Sequence, residues 1–267
     1  MTGIGFIGAG KMAEALIGGL LAKGVFTKEQ IIACAPSQST RDRISSEYGI
    51  EMFEKAADVV SRRDLIVLAV KPKSVPGLFK EEGLVIGKGK TLLSIVAGLS
   101  MDKMNQYVPD AKKVRAMPNH CCMVLECATG YTCDPSMTDA EKEEIAKILS
   151  SVGLAVEIPE SQMEAVTGIA GSSPAFMYMV IDAMADAGVL NGLTREQSVK
   201  LAAQSMLGAA KMVLESGKHP DQLRDEVCSP GGTTIVGVKI LEDMGLRSAM
   251  SSAVDGTIER AREMKKE

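Results

Sequence analysis

The sequence has little of three features that mark common protein classes: histidine, excess positive charge and long hydrophobic runs. It carries 30 basic and 34 acidic residues, for a net charge of −4, without the basic stripe that binds a nucleic-acid backbone. Its apolar runs, such as residues 65–70, fall far short of the roughly 18 residues that span a bilayer. We therefore expect no nucleic-acid partner and no membrane segment.

Strand-like residues begin at Gly3, which leaves no room for a leader segment ahead of the fold and predicts a cytoplasmic location. The chain has two histidines, and His120 stands beside four of the six cysteines, namely Cys121, Cys122, Cys127 and Cys133. Adjacent cysteines cannot easily direct both sulfurs at one ion, and this spacing fits no zinc motif. We expect reduced cysteines in small apolar spaces and no metal site.

The first part of the chain alternates short β-branched runs with helical stretches. Strands are predicted over residues 4–7, 31–35, 65–70, 92–96, 113–117, 128–132 and 154–158, and helices over 11–22, 39–48, 56–62 and 138–151. This alternation is typical of an α/β fold with a mostly parallel sheet. Beyond it, only helical spacing remains. The pattern predicts an α/β domain over 1–160 and an all-helical domain over 161–267.

The helices of the second region are unusually apolar. Residues 174–188 carry only Asp182 and Asp186 as charged groups, and residues 194–216 and 235–244 are rich in small or aliphatic side chains. A region of this size cannot bury all these faces within itself, so packing against a second copy is expected. The sequence predicts a homodimer and leaves further assembly open.

A glycine-rich loop near the start combines a strand, a turn and a helix. Gly8-Ala9-Gly10-Lys11-Met12 follows the first predicted strand and opens the first predicted helix. This is the position of the phosphate-binding loop in a Rossmann-type dinucleotide-binding domain, where helix N–H groups meet a pyrophosphate. We therefore predict a nicotinamide cofactor.

The end of the second strand indicates which nicotinamide cofactor is bound. An NAD enzyme places a carboxylate there for the ribose hydroxyls. Residues 33–37 contain no carboxylate; they end at Ser37, and Arg41 lies four residues further on. These side chains can donate hydrogen bonds to a 2′-phosphate. NADPH is the predicted cofactor, with NADH as the alternative. The competing interpretation is that Ser39 caps a helix and Arg41 is a solvated charge.

Three further turns end strands at the same edge of the predicted sheet. They are Ala69-Val70-Lys71-Pro72, Ala97-Gly98, and residues 115–119. Ligands of parallel sheets bind beyond the carboxyl ends of the strands. These turns therefore predict a cofactor cleft.

A second glycine-rich loop, Ser229-Pro230-Gly231-Gly232-Thr233-Thr234, leads into a helix near the end of the chain. Unpaired N–H groups at a helix start favour a phosphate or a carboxylate, and glycine lets the ligand approach the backbone. A helix cap is the alternative, although a cap needs one Ser or Thr and not two glycines after a proline. The loop predicts a small acidic substrate.

Together these segments resemble the pyrroline-5-carboxylate reductase family along the whole chain, most specifically over residues 223–242. The resemblance implies reduction of pyrroline-5-carboxylate to L-proline with NADPH or NADH, the last step of proline biosynthesis. It also implies that Ser229, Gly231, Gly232, Thr233 and Thr234 hold the substrate carboxylate. Because the imine nitrogen must carry a proton, the Thr234 hydroxyl is our candidate catalytic group. Glu164 and Asp182 are weaker acid candidates.

The chain departs from the family pattern at Ser173 and Phe176, where the family has Gly and Tyr, and at His120-Cys121, where it commonly has Thr-Pro. Two alternative functions stay open. A β-hydroxyacid dehydrogenase would place a lysine on the helix that enters the second domain, but residues 164–188 contain none. A non-catalytic NADP(H)-binding sensor is the other alternative, against which the intact second loop argues.

Overall fold

The structure is a computed structural model that describes residues 3–266. The chain divides into two units, one formed by Met1–Ser172 with Thr257–Glu267 and the other by Ser173–Gly256. The domain boundary after residue 160 stays a prediction, and residues 1, 2 and 267 of the two predicted domains lie outside the described residues.

An eight-stranded sheet organises the described part of the first unit. Its strands are β1 (Ile4–Ile7), β2 (Ile31–Cys34), β3 (Glu51–Phe53), β4 (Leu65–Leu68), β5 (Thr91–Ser94), β6 (Lys112–Met117), β7 (Cys127–Cys133) and β8 (Gly153–Glu157). The order is β3-β2-β1-β4-β5-β6-β7-β8. Strands β1 to β6 are parallel, β7 is antiparallel to β6, and β8 is parallel to β7. The first six strands have the Rossmann order, which confirms the predicted fold.

Strands β1, β2 and β4 are apolar throughout because both faces of the sheet are covered. Successive side chains of a strand point to opposite faces. In β4, Leu65 and Val67 enter one buried cluster, whereas Ile66 and Leu68 enter the other. The two clusters are the cores above and below the sheet, and they hold the carboxyl ends of the strands at one rigid edge.

The helices of the first unit lie mostly where the sequence placed them. They are α1 (Lys11–Ala22), α2 (Gln38–Tyr48), α3 (Ala56–Arg62), α4 (Met101–Tyr107), α5 (Asp139–Leu149) and α6 (Met163–Val166). Thr138 caps α5 and forms the predicted capping box with Glu141. Strand β3 and helix α4 were not predicted, because the first has three residues and the second has seven, four of them polar.

The second unit is helical. Its helices are α7 (Ser173–Leu190), α8 (Arg195–Ser216), α9 (Pro220–Glu226), α10 (Thr233–Asp243) and the first part of α11 (Leu246–Lys266). Helices α7 and α8 pack closely where Gly188 meets Ser198, since a Cβ on Gly188 would lie 2.5 Å from the Ser198 Oγ. Large apolar side chains such as Met179 and Leu190 are exposed on this unit. None of the helices in the described residues combines the length and hydrophobicity needed to cross a bilayer.

Candidate active site

The loops that follow the parallel strands leave the sheet at one edge. The strand order reverses between β1 and β4, so the loops after these two strands diverge to opposite sides and open a crevice between them. The chain enters this crevice at Gly8, whose N–H donates to the Cys34 carbonyl at 3.1 Å. The predicted cofactor loops of the first unit therefore share one edge.

Gly8 and Gly10 shape the loop between β1 and α1 in different ways. Gly8 has a φ of +95°, and a Cβ there would lie 2.6 Å from the Ala69 carbonyl oxygen and 3.0 Å from a Val70 methyl group. Gly10 is the N-cap of α1 and makes no side-chain cap, while a Cβ built on it meets no atom within 4 Å. Gly8 is required by the geometry of the turn, whereas Gly10 leaves the backbone at the start of α1 open to a ligand.

This open approach fits a pyrophosphate. The first N–H groups of a helix have no acceptor within the helix, and here they belong to Lys11 and Met12, beside Ala9 and Gly10. The positive end of the helix dipole adds to their attraction for an anion. The structure thus brings together Gly8, Ala9, Gly10, Lys11 and Met12 in one cradle, and within residues 3–266 no protein atom lies within 4 Å of the open side at Gly10.

An ion pair between a buried carboxylate on α1 and a half-exposed arginine on α2 lies next to this cradle. The Glu14 carboxylate accepts hydrogen bonds from Arg43 of α2 at 2.7 and 3.0 Å. The Arg43 hydrogen bonds hold the pKa of Glu14 below its ordinary value, although burial acts in the opposite direction. Tyr48, 3.4 Å away, has its pKa raised to about 12, chiefly by burial. The sequence did not reveal this pair because its members are 29 residues apart.

The end of β2 differs in detail from the expected 2′-phosphate site. The Arg41 guanidinium donates to the carbonyls of Ala35 and Pro36 at 2.7 and 2.9 Å and lies 3.7 Å from the Glu54 carboxylate. The hydroxyls of Ser37 and Ser39 are 2.8 Å apart and exposed. Arg41 thus braces the turn after β2, while the serine pair faces outward. The roles of Arg41 and Ser37 as phosphate ligands stay predictions.

Two adjoining cavities lie beyond β5 and β6. A cavity of about 90 Å³ is lined by Ala97, Gly98, Met117 and Thr167, among other residues. A wider one of about 400 Å³ shares Ala97 and Gly98 and extends to Pro72. Lys71 is exposed and precedes a short turn of helix at Pro72–Ser74. The predicted turns after β4 and β5 therefore border a common recess.

A charged cluster that the sequence did not reveal lines the smaller cavity. Arg115, on β6, is almost fully buried. Its guanidinium lies 3.1 Å from a Glu160 carboxylate oxygen and 3.6 Å from a Glu164 carboxylate oxygen. Glu164 is also buried and lines the cavity. Glu164, one of the two weaker acid candidates, is therefore paired with a buried cation in this structure.

The second glycine-rich loop lies in the second unit, between α9 and α10. Gly231 has a φ of +68°, and a Cβ on Gly232 would lie 2.4 Å from the Ser229 Oγ. Gly232 is the N-cap of α10 and makes no side-chain cap, so the first-turn N–H groups of Thr233 and Thr234 face outward with the helix dipole. The loop is exposed apart from partly covered Gly232. Asp182, the other acid candidate, lies 3.8 Å from Arg195 on the same unit.

Three of the four cysteines near His120 are buried, and Cys121 is partly exposed. The Cys122 sulfur lies 3.1 Å from the Met12 sulfur, and its hydrogen bond with Cys127 together with burial holds the pKa of Cys122 above its ordinary value. Burial raises the pKa of Cys133 to about 11. No group of three or more metal-ligating side chains occurs among residues 3–266. His120 itself is exposed, whereas Asn119 is buried and caps the following turn.

Two family models match the chain. The model for pyrroline-5-carboxylate reductase dimerisation matches residues 160–264. The model described as NADP oxidoreductase coenzyme F420-dependent matches residues 3–98. The two matched regions correspond to the helical second region and to the strands and loops from β1 to the Ala97-Gly98 turn.

Known proteins are similar along the full length. The pyrroline-5-carboxylate reductase of Methanosarcina acetivorans is 41% identical over 264 residues, which are 98% of both chains. The structure of a pyrroline-5-carboxylate reductase from Coxiella burnetii superposes with a TM-score of 0.92 at 30% identity, over 98% of both chains. Plasmodium falciparum pyrroline carboxylate reductase with NADP bound gives 0.85 at 31% identity, over 99% of this chain and 98% of that one.

Proposed function

The chain belongs to the pyrroline-5-carboxylate reductase family, and from this premise we propose how its own residues reduce pyrroline-5-carboxylate to L-proline with NADPH. The observation that carries the activity is the similarity to the Methanosarcina acetivorans enzyme, which runs over 98% of both chains. The predicted family, the oxidoreductase activity of proline biosynthesis and the NADP cofactor are confirmed.

We propose that the cradle of Gly8, Ala9, Gly10, Lys11 and Met12 holds the pyrophosphate of the cofactor. Its open N–H groups and the steric requirement for glycine at Gly8 support this assignment. Beside it, the proposed ligands of the 2′-phosphate are Ser37 and Arg41. The remaining proposed cofactor-binding residues are Ala69, Val70, Lys71, Pro72, Ala97 and Gly98. When bound, NADPH supplies the hydride that reduces the imine carbon.

The loop before α10 is the proposed seat of the substrate carboxylate. Ser229, Gly231, Gly232, Thr233 and Thr234 offer backbone N–H groups and hydroxyls at a helix start, and the absence of a side-chain cap at Gly232 leaves these donors for a ligand. Clamping the carboxylate fixes the ring in the orientation that hydride transfer requires, and such positioning supplies much of the rate.

Thr234 is the proposed catalytic residue. The imine carbon accepts a hydride readily only when the ring nitrogen carries a proton, and a hydroxyl in the first turn of α10 can accept a hydrogen bond from that N–H or relay its proton. We expect Thr234→Ala to lower kcat by about tenfold to a hundredfold, with Thr234→Ser retaining most of it. Full turnover by Thr234→Ala would remove Thr234 from the mechanism.

The match of the dimerisation model to residues 160–264 indicates a homo-oligomer, and we propose the homodimer as its basic form. The exposed apolar side chains of the second unit, Met179 and Leu190 among them, support this proposal. The cytoplasmic location and the absence of a nucleic-acid partner stay predictions.

The experiment that tests the activity is NADPH oxidation by the purified protein with pyrroline-5-carboxylate, followed by the loss of NADPH absorbance beside a parallel series with NADH. We expect rapid oxidation that depends on the imine, with L-proline as the product. Cofactor binding without turnover would favour the sensor alternative and overturn the proposal. The ratio of kcat/KM for the two cofactors measures the contribution of the 2′-phosphate site.

A further inference from the structure

The charged cluster around Arg115 connects β6 and α6, which line the smaller cavity, to α4, which lines the wider one. Glu160 Oε1 accepts a hydrogen bond from the backbone N–H of Met101 at 2.7 Å and another from Arg115 Nη1 at 3.1 Å. A single carboxylate oxygen therefore joins the first turn of α4 to the carboxyl end of β6. Arg115 in turn reaches Glu164 on α6.

Helix α4 begins immediately after the Ala97-Gly98 turn. Its N-cap is Ser100, whose side chain accepts from the Lys103 N–H at 3.2 Å, and Glu160 supplies a second cap from 59 residues away. Gly98 has a φ of +76° and is exposed, so the turn itself has few contacts to hold it. The position of the turn is therefore set by its flanking residues, the buried Val96 and Leu99, and by the capped start of α4.

Burying this cluster is costly. The Arg115 side chain is 7% exposed and that of Glu164 is 9% exposed. Removing these two charges from water carries a large desolvation penalty, which their attraction offsets only when the geometry is good. A well-packed apolar group at these positions would often be as stable. A contribution to stability is therefore a weak explanation for the presence of these charges. Positioning of the cavity wall is a stronger explanation.

We propose that Glu160, held by Arg115, is a positioning residue for the nicotinamide end of the cofactor. The inference rests on the proposed function, because β4 to β6 form the second half of the Rossmann sheet, the half that holds the nicotinamide nucleoside. By capping α4, Glu160 fixes the Ala97-Gly98 turn, and by pairing with Arg115 it fixes that turn relative to Met117. Gly98 and Met117 both line the cavity wall.

The chain offers a closely matched control at the other end of the same strand. Glu141 also caps a helix, α5, and also pairs with a β6 cation, Lys112, at 2.6 Å. The Glu141 and Glu160 side chains are each 29% exposed. Lys112 lies at the amino end of β6, at the edge opposite the cofactor crevice. Glu141→Ala therefore removes an equivalent cap and ion pair away from the cavity.

The test compares Glu160→Ala, Glu160→Gln and Glu141→Ala in the full-length protein. Three quantities are measured: hydrogen exchange of the amides of residues 97–104 without cofactor, the dissociation constant of NADPH by fluorescence titration, and kcat with pyrroline-5-carboxylate. We expect Glu160→Ala to accelerate exchange at Met101 and to lower kcat about tenfold or more, while NADPH affinity changes by less than about threefold because the pyrophosphate cradle is intact. Glu160→Gln keeps an acceptor for the Met101 N–H, so it should retain most of the exchange protection at Met101 and most of kcat.

Glu141→Ala should lower the melting temperature yet leave kcat and exchange at residues 97–104 unchanged. Equal losses of kcat in Glu160→Ala and Glu141→Ala would assign both residues a structural role only and overturn the proposal. Unchanged exchange at Met101 in Glu160→Ala would do the same. If the wild-type protein binds NADPH but does not reduce the imine, the proposed function fails. The positioning role is then decided by hydrogen exchange alone: NADPH should protect the amides of residues 97–104 in the wild type, and this protection should be lost in Glu160→Ala.

Discussion

At the residue scale, the cofactor crevice depends on positions where one side chain or its absence decides the local geometry. Gly8 must be glycine because both its φ and its distance from the Ala69 carbonyl exclude a Cβ. Glu14 is a buried carboxylate whose two hydrogen bonds come from Arg43. Gly8 leads to a prediction about folding and cofactor binding, and Glu14 to one about the pH dependence of stability.

Gly8→Ala should destabilise the protein and weaken NADPH binding together. A left-handed backbone with a Cβ costs about 1 to 2 kcal/mol, and the contact with the Ala69 carbonyl adds to this cost. Gly10→Ala is the matched variant, since its backbone is extended and its Cβ meets no protein atom within 4 Å. We expect Gly10→Ala to keep the wild-type melting temperature but lose NADPH affinity. Normal affinity in Gly10→Ala would contradict the close approach of the pyrophosphate.

Glu14→Gln should make the stability of the protein less dependent on pH in the acidic range. Because Arg43 holds the pKa of Glu14 below its ordinary value of 4.5, the folded state favours the carboxylate. This stabilisation is fully present above about pH 4.5 and is lost as the pH falls through the lower folded-state value. Melting temperatures should therefore differ by a few degrees at neutral pH and converge as the pH falls below the folded-state pKa of Glu14.

The control for this prediction is Glu47→Gln, since Glu47 is half-exposed and lies 3.3 Å from the same Arg43 guanidinium. A surface ion pair of this kind contributes little. A gap between wild type and Glu14→Gln that stays constant from neutral to acidic pH would show that the lost stability is not electrostatic.

At the scale of elements, helix ends carry most of the functional geometry. Helices α1 and α10 both begin at a glycine that makes no side-chain cap, and these are the two proposed anion seats. Helices α5 and α8, which have no proposed ligand, begin at threonines in complete capping boxes. The contrast follows from the need to leave first-turn N–H groups open for a ligand.

Helices α9 and α10 form a hairpin whose base is held by Arg247. Its guanidinium donates to Glu242 near the end of α10 at 2.7 Å and to Asp221 at the start of α9 at 3.1 Å. The Arg247 and Arg224 groups hold the pKa of Asp221 below its ordinary value. The glycine-rich loop lies at the opposite end of this hairpin.

Arg247→Gln should raise the KM for pyrroline-5-carboxylate several-fold and leave the dissociation constant of NADPH unchanged, because the loop that positions the carboxylate loses its anchored base. Lys239→Gln is the control, since Lys239 pairs with Asp243 within α10 and joins no two elements. Steady-state kinetics for both variants give the comparison. An equal rise in KM for Lys239→Gln would point to a general effect of surface charge.

At the scale of the whole molecule, the second unit exposes many large apolar side chains, and contiguous apolar surface of this kind marks interaction sites. Met179 is 73% exposed on α7, and Leu190 is 86% exposed at its end. A homo-oligomer removes such surface from water, and its melting temperature then rises with protein concentration.

Met179→Glu should shift the protein toward smaller species in sedimentation velocity, because a buried charge at a subunit contact is costly. Val85→Glu, at a side chain that is 76% exposed in the first unit, should leave the assembly unchanged. A wild-type protein that sediments as a monomer, or equal effects of the two substitutions, would contradict the proposed homodimer.

Sequence periodicity was sufficient for the elements that are locally determined. The β-branched runs predicted seven of the eight strands, and α1 and α3 have the predicted bounds. In these segments the spacing of apolar residues matches the faces that the strand or helix buries. Strand β3 and helix α4 were not predicted because neighbouring elements stabilise them. Strand β3 pairs with β2, and the Glu160 side chain caps α4. Arg41 was expected to face a phosphate but is bonded to two carbonyls of its own turn.

Residue order and local stereochemistry were enough to predict the fold class, the two glycine-rich loops and the family. Which charged side chains meet depends on how the chain folds in three dimensions. Glu14 with Arg43, and Arg115 with Glu160 and Glu164, pair residues that are 29 to 49 positions apart. No local pattern encodes such pairs, because their contact arises only when the sheet has brought distant elements to one edge and excluded water from between them.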